Sequence, residues 1–179
     1  KRLVESIPYF QLRMTVRPGM TGWAQVQFRY GASDGDALEK LNKGMTVGDF
    51  DACTRRLVSH GIRVRSFILV GIPFLRKEEW AAATRASIDL SFSAGADIVS
   101  LIPTRLGNGT LEELQRSGHF APPSLLTLEE SFALALACRP PDRLVLADLW
   151  DAGALAAPPC CAAARVERLR KMSFIQRNL

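Results

Sequence analysis

Hydrophobic and polar positions from residue 46 onward switch between the period of a helix and the period of a strand. An apolar stripe with spacings of three and four residues predicts a first helix: Phe50, Cys53 and Leu57. The run 64–71 is short, apolar and rich in β-branched and aromatic residues, which is typical of a buried strand. One long helical run and two further strand-like runs follow, at 76–94, 97–103 and 143–149.

End signals frame these elements. Thr46 followed by Asp49 predicts an N-cap with an acidic first turn. His60 and Gly61 predict the end of the same helix, so His60 is interpreted as a capping residue and not as a catalytic one. His119 is interpreted as a loop residue.

Two T-x-x-E strings, 110–113 and 127–130, predict capping boxes that open further helices. The second of these helices is expected to bury residues four apart: Leu128, Phe132 and Leu136. The Ala- and Pro-rich stretch 152–164 is expected to be a loop, and a final helix is expected after it.

Strands separated by helical crossovers pair in parallel, so the fold class is α/β. Three such strands form part of a TIM-like barrel and not a whole one. Residues 1–36 do not show this alternation of strands and helices. Their sequence predicts an irregular N-terminal segment with a short strand around Ala24–Arg29. The chain begins with Lys1, which favours a fragment or a processed product.

Composition is that of a soluble globular protein: 47% of the 179 residues are hydrophobic and 23% are charged. No apolar run approaches the length of a membrane span. The net charge of +5 is concentrated in Arg165–Leu179, which is either a solvated helix face or a surface for a polyanion such as RNA.

The four cysteines suit neither a disulfide framework nor a zinc site: Cys53, Cys138, Cys160 and Cys161. Cys53 and Cys138 stand at apolar helix positions, where cysteine acts as a small core residue. Free thiols favour a reducing, cytoplasmic location.

The N-terminal segment carries Arg13, Arg17-Pro18-Gly19, the run TGWAQ at 21–25 and the run YGAS at 30–33. This pattern resembles the C-terminal part of bacterial sugar transferases, the polyprenyl-phosphate glycosyl-1-phosphate transferases of exopolysaccharide synthesis. The resemblance implies that Arg13 and Arg17 hold phosphate oxygens; the alternative is that both are solvated. The acidic catalytic pair and the membrane helix of that family lie upstream of this region.

A second set of motifs covers most of the chain: NKGMT at 42–46, HGIRV at 60–64, VGIP at 70–73, SLIPTR at 100–105, GNG at 107–109 and ADLWD at 147–151. This set resembles the later half of radical S-adenosylmethionine enzymes, in the subgroup that includes the elongator catalytic subunit, the methylthiotransferases and the archaeosine-pathway enzyme. Such enzymes use S-adenosylmethionine and a 4Fe–4S cluster held by a C-x-x-x-C-x-x-C triplet. No such triplet exists here.

The two resemblances meet at ALEKL, so the chain is interpreted as a chimera with segments 1–41 and 42–179. The expected function is that of an enzyme fragment that binds at most part of the cofactor or substrate and forms no cluster. A missing N-terminal half-barrel is an expected partner. A sugar-phosphate transferase remnant and a non-catalytic RNA-binding module are the alternatives.

The expected site lies at the carboxyl ends of the strands. The resemblance implies that Gly71, Ile72 and Pro73 lie beside the adenosine of the cofactor, although the same residues suit a plain strand terminator. Polar residues past the later strands are candidates for substrate binding: Thr104, Arg105, Asn108, Asp148 and Asp151. The alternatives are a surface role for Arg105 and capping or ion-pair roles for the two aspartates.

Overall fold

The structure is a computed structural model that describes residues 46–107 and 109–178. Its helices are α1 (Val47–Ser59), α2 (Trp80–Ser93), α3 (Thr110–Arg116), α4 (Leu125–Cys138) and α5 (Ala162–Ile175). Its strands are β1 (Arg65–Val70), β2 (Ile98–Pro103) and β3 (Leu144–Ala147). Single 3-10 turns cover Lys77–Glu79, Ala152–Leu155 and Pro159–Cys161.

The three strands form one parallel sheet in the order β1-β2-β3. Arg65 pairs with Ile98, and Ile98 pairs in turn with Leu144, so the strands start level with one another. This confirms the predicted α/β fold class and parallel pairing. The N-terminal segment 1–41, and with it the strand predicted at Ala24–Arg29, lies outside the described residues.

The ends of α1 confirm the predicted caps. Thr46 Oγ1 accepts the Asp49 N–H at 3.1 Å, and the Asp49 carboxylate accepts the Thr46 N–H at 2.9 Å. At the other end, His60 Nδ1 lies 2.7 Å from the Arg56 carbonyl, and Gly61 takes a φ of 72°. His60 therefore caps the helix, as its position before a glycine indicated.

Helices α2, α4 and α5 pack against one face of the sheet. The main core joins Val70, Leu101 and Val145 of the strands to buried side chains of α2, α4 and α5: Ile88, Leu128, Phe132, Leu169 and Met172. Strand side chains alternate between faces, and those on the opposite face do not join this core. The apolar ones among them are half-buried or exposed: Phe67, Leu69, Ile98, Ile102, Leu144 and Leu146. Parallel sheets are normally covered on both faces, whereas the described helices cover one face of this sheet.

Three sequence predictions about local structure are wrong. Helix α4 begins one turn before Thr127, because Ser124 occupies the N-cap and its hydroxyl accepts the Thr127 N–H at 3.2 Å. Helix α3 includes Thr110, and its N-cap position is Gly109. The stretch 152–164 is not a loop throughout: it contains two 3-10 turns and the start of α5, and Ala152 is buried in the core.

Candidate functional site

The parallel sheet brings three groups of predicted site residues to one edge. Gly71–Pro73 follow β1, Thr104 and Arg105 follow β2, and Asp148 and Asp151 follow β3. Backbone bonds continue the sheet past the strand ends: the Thr104 N–H donates to the Val70 carbonyl at 2.9 Å, and the Asp148 N–H donates to the Leu101 carbonyl at 2.8 Å. The carboxyl ends of the strands therefore form one continuous rim.

Arg105 and Asp148 form an ion pair on this rim, with Arg105 Nη1 at 2.8 Å from Asp148 Oδ2. Arg105 Nη2 also donates to the Asp148 carbonyl at 3.4 Å and to the Trp150 carbonyl. The other oxygen of the Asp148 carboxylate accepts the Trp150 N–H at 3.1 Å. The guanidinium of Arg105 thus fixes the backbone of the segment after β3. Arginine suits this role because its planar, charged guanidinium carries several N–H donors.

Trp150 is a rim residue that sequence reasoning did not assign to the site. The Arg105 guanidinium carbon lies 5.4 Å from the centre of its ring, a cation–π distance, yet the residue is 74% exposed. The signal in the sequence was the WD pair at the end of β3, which indicated only the end of a strand. Its partner Arg105 stands 45 positions earlier in the chain, so the contact has no local signature.

The Gly71–Pro73 turn packs against the protein itself. Gly71 has a φ of 77°, and a Cβ built there would lie 2.7 Å from ring carbons of Pro123, in the segment before α4. The Ile72 carbonyl accepts the Trp80 Nε1–H at 3.1 Å, and both Ile72 and Pro73 are buried. The close approach that needs a glycine is therefore made by Pro123; contact of this turn with a cofactor stays a prediction.

Two polar atoms on the rim are buried without a hydrogen-bond partner in the described part of the chain. They are Thr104 Oγ1 and Arg105 Nε, and Thr104 is 5% exposed. An unsatisfied buried polar group is costly, so each such atom calls for an explanation. Both atoms belong to residues predicted to bind substrate.

The loop after Arg105 is held by a carboxylate that the sequence did not single out. Glu112 Oε1 accepts the Gly107 N–H, and Gly107 takes a φ of 129°. The pKa of the Glu112 carboxyl is lowered, mainly by a hydrogen bond from the Glu112 backbone N–H and further by those from Gly107 and Gly109. Desolvation acts in the opposite direction but is outweighed. Asn108 of this loop lies outside the described residues, as do Arg13 and Arg17.

Asp151 occupies a different position from Asp148. It takes a left-handed φ of 50° and is exposed at the N-cap of the turn Ala152–Leu155, with no side-chain hydrogen bond at that cap. Left-handed conformations are tolerated by aspartate better than by most residues. The structure thus separates the two aspartates: Asp148 is paired with Arg105, and Asp151 marks a turn.

The cysteines do not fit an iron–sulfur cluster. Cys53 lies on α1, Cys138 ends α4, and Cys160 and Cys161 precede α5. Residues 46–107 and 109–178 contain no group of three histidine, cysteine, aspartate or glutamate side chains that would hold a metal. A 4Fe–4S cluster needs several thiolates converging on one site, and these residues do not provide that arrangement.

The basic helix α5 is partly neutralised. Arg165 Nη2 lies 2.6 Å from Glu129 Oε2 of α4, and this hydrogen bond raises the pKa of Arg165. Arg170 pairs with Glu167 on the helix surface. Lys171 and Arg177 are exposed beside Phe174, which is 88% exposed. None of the helices in the described ranges is both long enough and apolar enough to span a bilayer.

The sequence matches no protein-family model. The chain is similar to archaeosine synthase subunit beta of Methanosarcina acetivorans, with 27% identity over 149 residues that cover 81% of this chain and 42% of the relative. Its structure is similar to that of the archaeal Elp3 of Methanocaldococcus infernus with an N-terminal deletion. That match has a TM-score of 0.55 and 18% identity, and covers 76% of this chain and 34% of the other.

The fold is thus α/β, with a parallel three-stranded sheet and packed helices, and is similar to that of the archaeal Elp3. The chain spans about two fifths of the length of the curated relative that it matches. These comparisons give no support to the sugar-transferase resemblance of residues 1–41 or to a chimera.

Proposed function

We propose that the rim of this sheet is one wall of a ligand-binding site of the radical S-adenosylmethionine type, and that the wall binds part of the cofactor or substrate. Support comes from Arg105: it joins Asp148 to Trp150 and leaves its own Nε, with Thr104 Oγ1, buried and unpaired. The arrangement offers a fixed cation, a carboxylate and an exposed aromatic ring at the end of a parallel sheet, where α/β folds bind ligands.

The chemistry of this wall is binding and orientation. The cofactor class would supply the radical chemistry when bound with its cluster, but the described cysteines are scattered over three elements. The chain's own contribution is therefore to position a polar ligand against Arg105 and Thr104. We propose that this chain generates no radical by itself.

Calorimetric titration with S-adenosylmethionine tests the wall. Arg105→Met should weaken binding about tenfold or more, because the ligand loses a charge-assisted donor. Arg143→Met is the matched control: Arg143 also pairs with an aspartate, Asp97, at 3.2 Å and with similar exposure, but at the amino edge of the sheet. Equal affinities of the two variants, or no binding by the unchanged chain, would contradict the proposal.

Iron chemistry is tested separately. After anaerobic reconstitution with iron and sulfide, the chain should show no 4Fe–4S absorption and should not cleave S-adenosylmethionine. A cluster that supports cleavage would overturn the assignment of the chain as a binding wall. This result would be independent of the titration, since binding and cleavage have different readouts.

The exposed end of α5 favours RNA binding as a second candidate function. Lys171 and Arg177 carry charges that no described acid neutralises, and Phe174 offers a ring for base stacking between them. Filter binding of single-stranded RNA across a salt series should weaken with salt, and Lys171→Gln with Arg177→Gln should reduce the slope. Arg165→Gln is the control variant, and it should change the salt dependence less, because Glu129 already neutralises Arg165. A flat salt response would remove the electrostatic basis.

A further inference from the structure

Two cysteines stand side by side just before α5, away from the residues of the proposed binding wall. Cys160 and Cys161 end the 3-10 turn Pro159–Cys161; Cys160 is exposed, and Cys161 is half-buried at the N-cap of α5. Pro158 and Pro159 precede the pair, and their rings fix φ in the backbone that leads to it. The two thiols are therefore presented on a short turn with little conformational freedom.

A direct disulfide between these neighbours would be strained. Consecutive Cα atoms lie about 3.8 Å apart across a trans peptide bond. The Cα atoms of a disulfide usually lie about 4.4–6.8 Å apart, and strained disulfides are easily reduced. An ion held between the two sulfurs separates them by two metal–sulfur bonds, which relaxes this constraint. The pair therefore suits chelation of a thiophilic ion better than oxidation.

The surroundings of Cys161 favour negative charge on its sulfur. The first turn of α5 contains no acidic residue, and no side chain caps the helix there, so the positive end of the helix dipole faces the N-cap. Arg165, one turn along, donates to Glu129 and also to the Cys161 sulfur, and both bonds raise the pKa of Arg165. The Cys161 thiol donates to the Pro158 carbonyl at 3.5 Å, a weak bond that a thiolate would give up.

The number and the kind of ligands select the ion. Within the ranges 46–107 and 109–178, no three histidine, cysteine, aspartate or glutamate side chains converge as a metal site, so the pair would bind with two sulfurs. Zinc normally takes four ligands, whereas soft thiolates also select Cu(I), which two of them can satisfy. Two thiolates and one Cu(I) carry a single net negative charge. A helix N-terminus stabilises such an anion.

We propose that Cys160 and Cys161 form a two-thiolate binding site for Cu(I) at the N-terminus of α5, beside Arg165. Each thiol loses its proton as its sulfur–copper bond forms, so binding of one ion releases two protons and transfers no electron. The ion enters from the side of Cys160, which is exposed. The site is separate from the rim of the sheet and does not depend on the binding of S-adenosylmethionine.

Anaerobic titration of the reduced full chain with Cu(I), in competition with a coloured Cu(I) chelator, tests the site. The unchanged chain should withhold one Cu(I) from the chelator. Cys160→Ser and Cys161→Ser should each weaken binding about 100-fold or more, because loss of an outer-shell partner alone costs roughly 10–100-fold. Cys138→Ser is the matched control, since this half-buried thiol at the end of α4 has no cysteine beside it and its loss should change nothing.

The variants separate a chelate from independent thiols. Circular dichroism should show that each variant keeps the fold, and X-ray absorption should find two sulfur neighbours around the copper. Single variants that bind Cu(I) as tightly as the unchanged chain would overturn the proposal, as would an equal loss in Cys138→Ser. One Cu(I) shared by two chains, seen as a copper-dependent dimer in sedimentation, would also overturn it, because the two sulfurs would then come from different molecules.

Discussion

Replacing Gly71 with alanine should destabilise the protein through two separable effects. The first is the backbone: at a φ of 77° an alanine costs about 1–2 kcal/mol relative to its ordinary conformations. The second is packing: the new Cβ would lie 2.7 Å from the ring carbons of Pro123, and overpacking of this kind costs about 1–3 kcal/mol. The expected total is about 2–5 kcal/mol.

Gly61→Ala isolates the backbone effect. Gly61 has nearly the same φ, 72°, but nothing lies within 4 Å of its would-be Cβ. The change in unfolded-state entropy from glycine to alanine is the same in both variants and cancels in the comparison. The difference between the two free energies of unfolding, about 1–3 kcal/mol, is therefore the steric contribution of Pro123.

Urea unfolding followed by circular dichroism gives these free energies, provided that the m-values agree. Pro123→Gly, which removes all three clashing carbons, should recover much of the steric part when added to Gly71→Ala, and the double-mutant cycle should show a coupling of at least about 1 kcal/mol. Equal losses in Gly71→Ala and Gly61→Ala, with no coupling to Pro123, would refute the reasoning. In that case the requirement for glycine would have to come from something other than this packing, such as a ligand.

Three further predictions concern the hydrophobic core, the contact of Gln176 with the edge of β3, and the cysteine thiols. Phe132→Ala should lower the free energy of unfolding by about 3–5 kcal/mol. Leu126→Ala, on the same helix but 54% exposed, should change it by less than about 0.5 kcal/mol, and equal effects would contradict the described core. The Gln176 side chain accepts the Val145 N–H at 2.9 Å and donates to the Val145 carbonyl at 2.8 Å, at the outer edge of β3. Gln176→Ala should therefore lower the free energy of unfolding in urea by about 2 kcal/mol, and unaltered stability would show that these two bonds do not hold the end of α5 to β3. Burial raises the pKa of the Cys138 thiol, so at pH 8 a disulfide reagent should react with Cys138 more slowly than with the exposed Cys160. Cys160→Ser should remove the fastest phase of the reaction, and an unchanged time course would count against this assignment.

The elements that the sequence predicted are those with a local cause. Strand β1 carries a run of β-branched and aromatic residues, and the Thr46–Asp49 and His60–Gly61 signals act within one helical turn. The start of α4 was missed for an equally local reason: Ser124 and Thr127 are both good N-caps, and the T-x-x-E string favoured the wrong one. Starting the helix after Ser124 places Leu125 in the core, and the capping signals in the sequence carry no information about that packing.

The sequence predicted where the candidate site lies in the fold, but not which of its side chains contact one another. Parallel strands put Arg105 and Asp148 on the same rim, and each was picked out as a polar residue after a buried strand. Their ion pair, and the way in which it holds Trp150, depend on the register of β2 with β3 and on the turn after β3. Such contacts join residues more than 40 positions apart and leave no periodic trace in the sequence.

The open side of the sheet limits what the rim can do. A ligand on Arg105 and Thr104 meets protein on one side, whereas small-molecule sites normally enclose most of the ligand surface. The four cysteines lie on α1, at the end of α4 and in the turn before α5, so they offer this rim no converging set of thiolates. If the rim is a binding wall, S-adenosylmethionine binding without a 4Fe–4S cluster is therefore the expected combination.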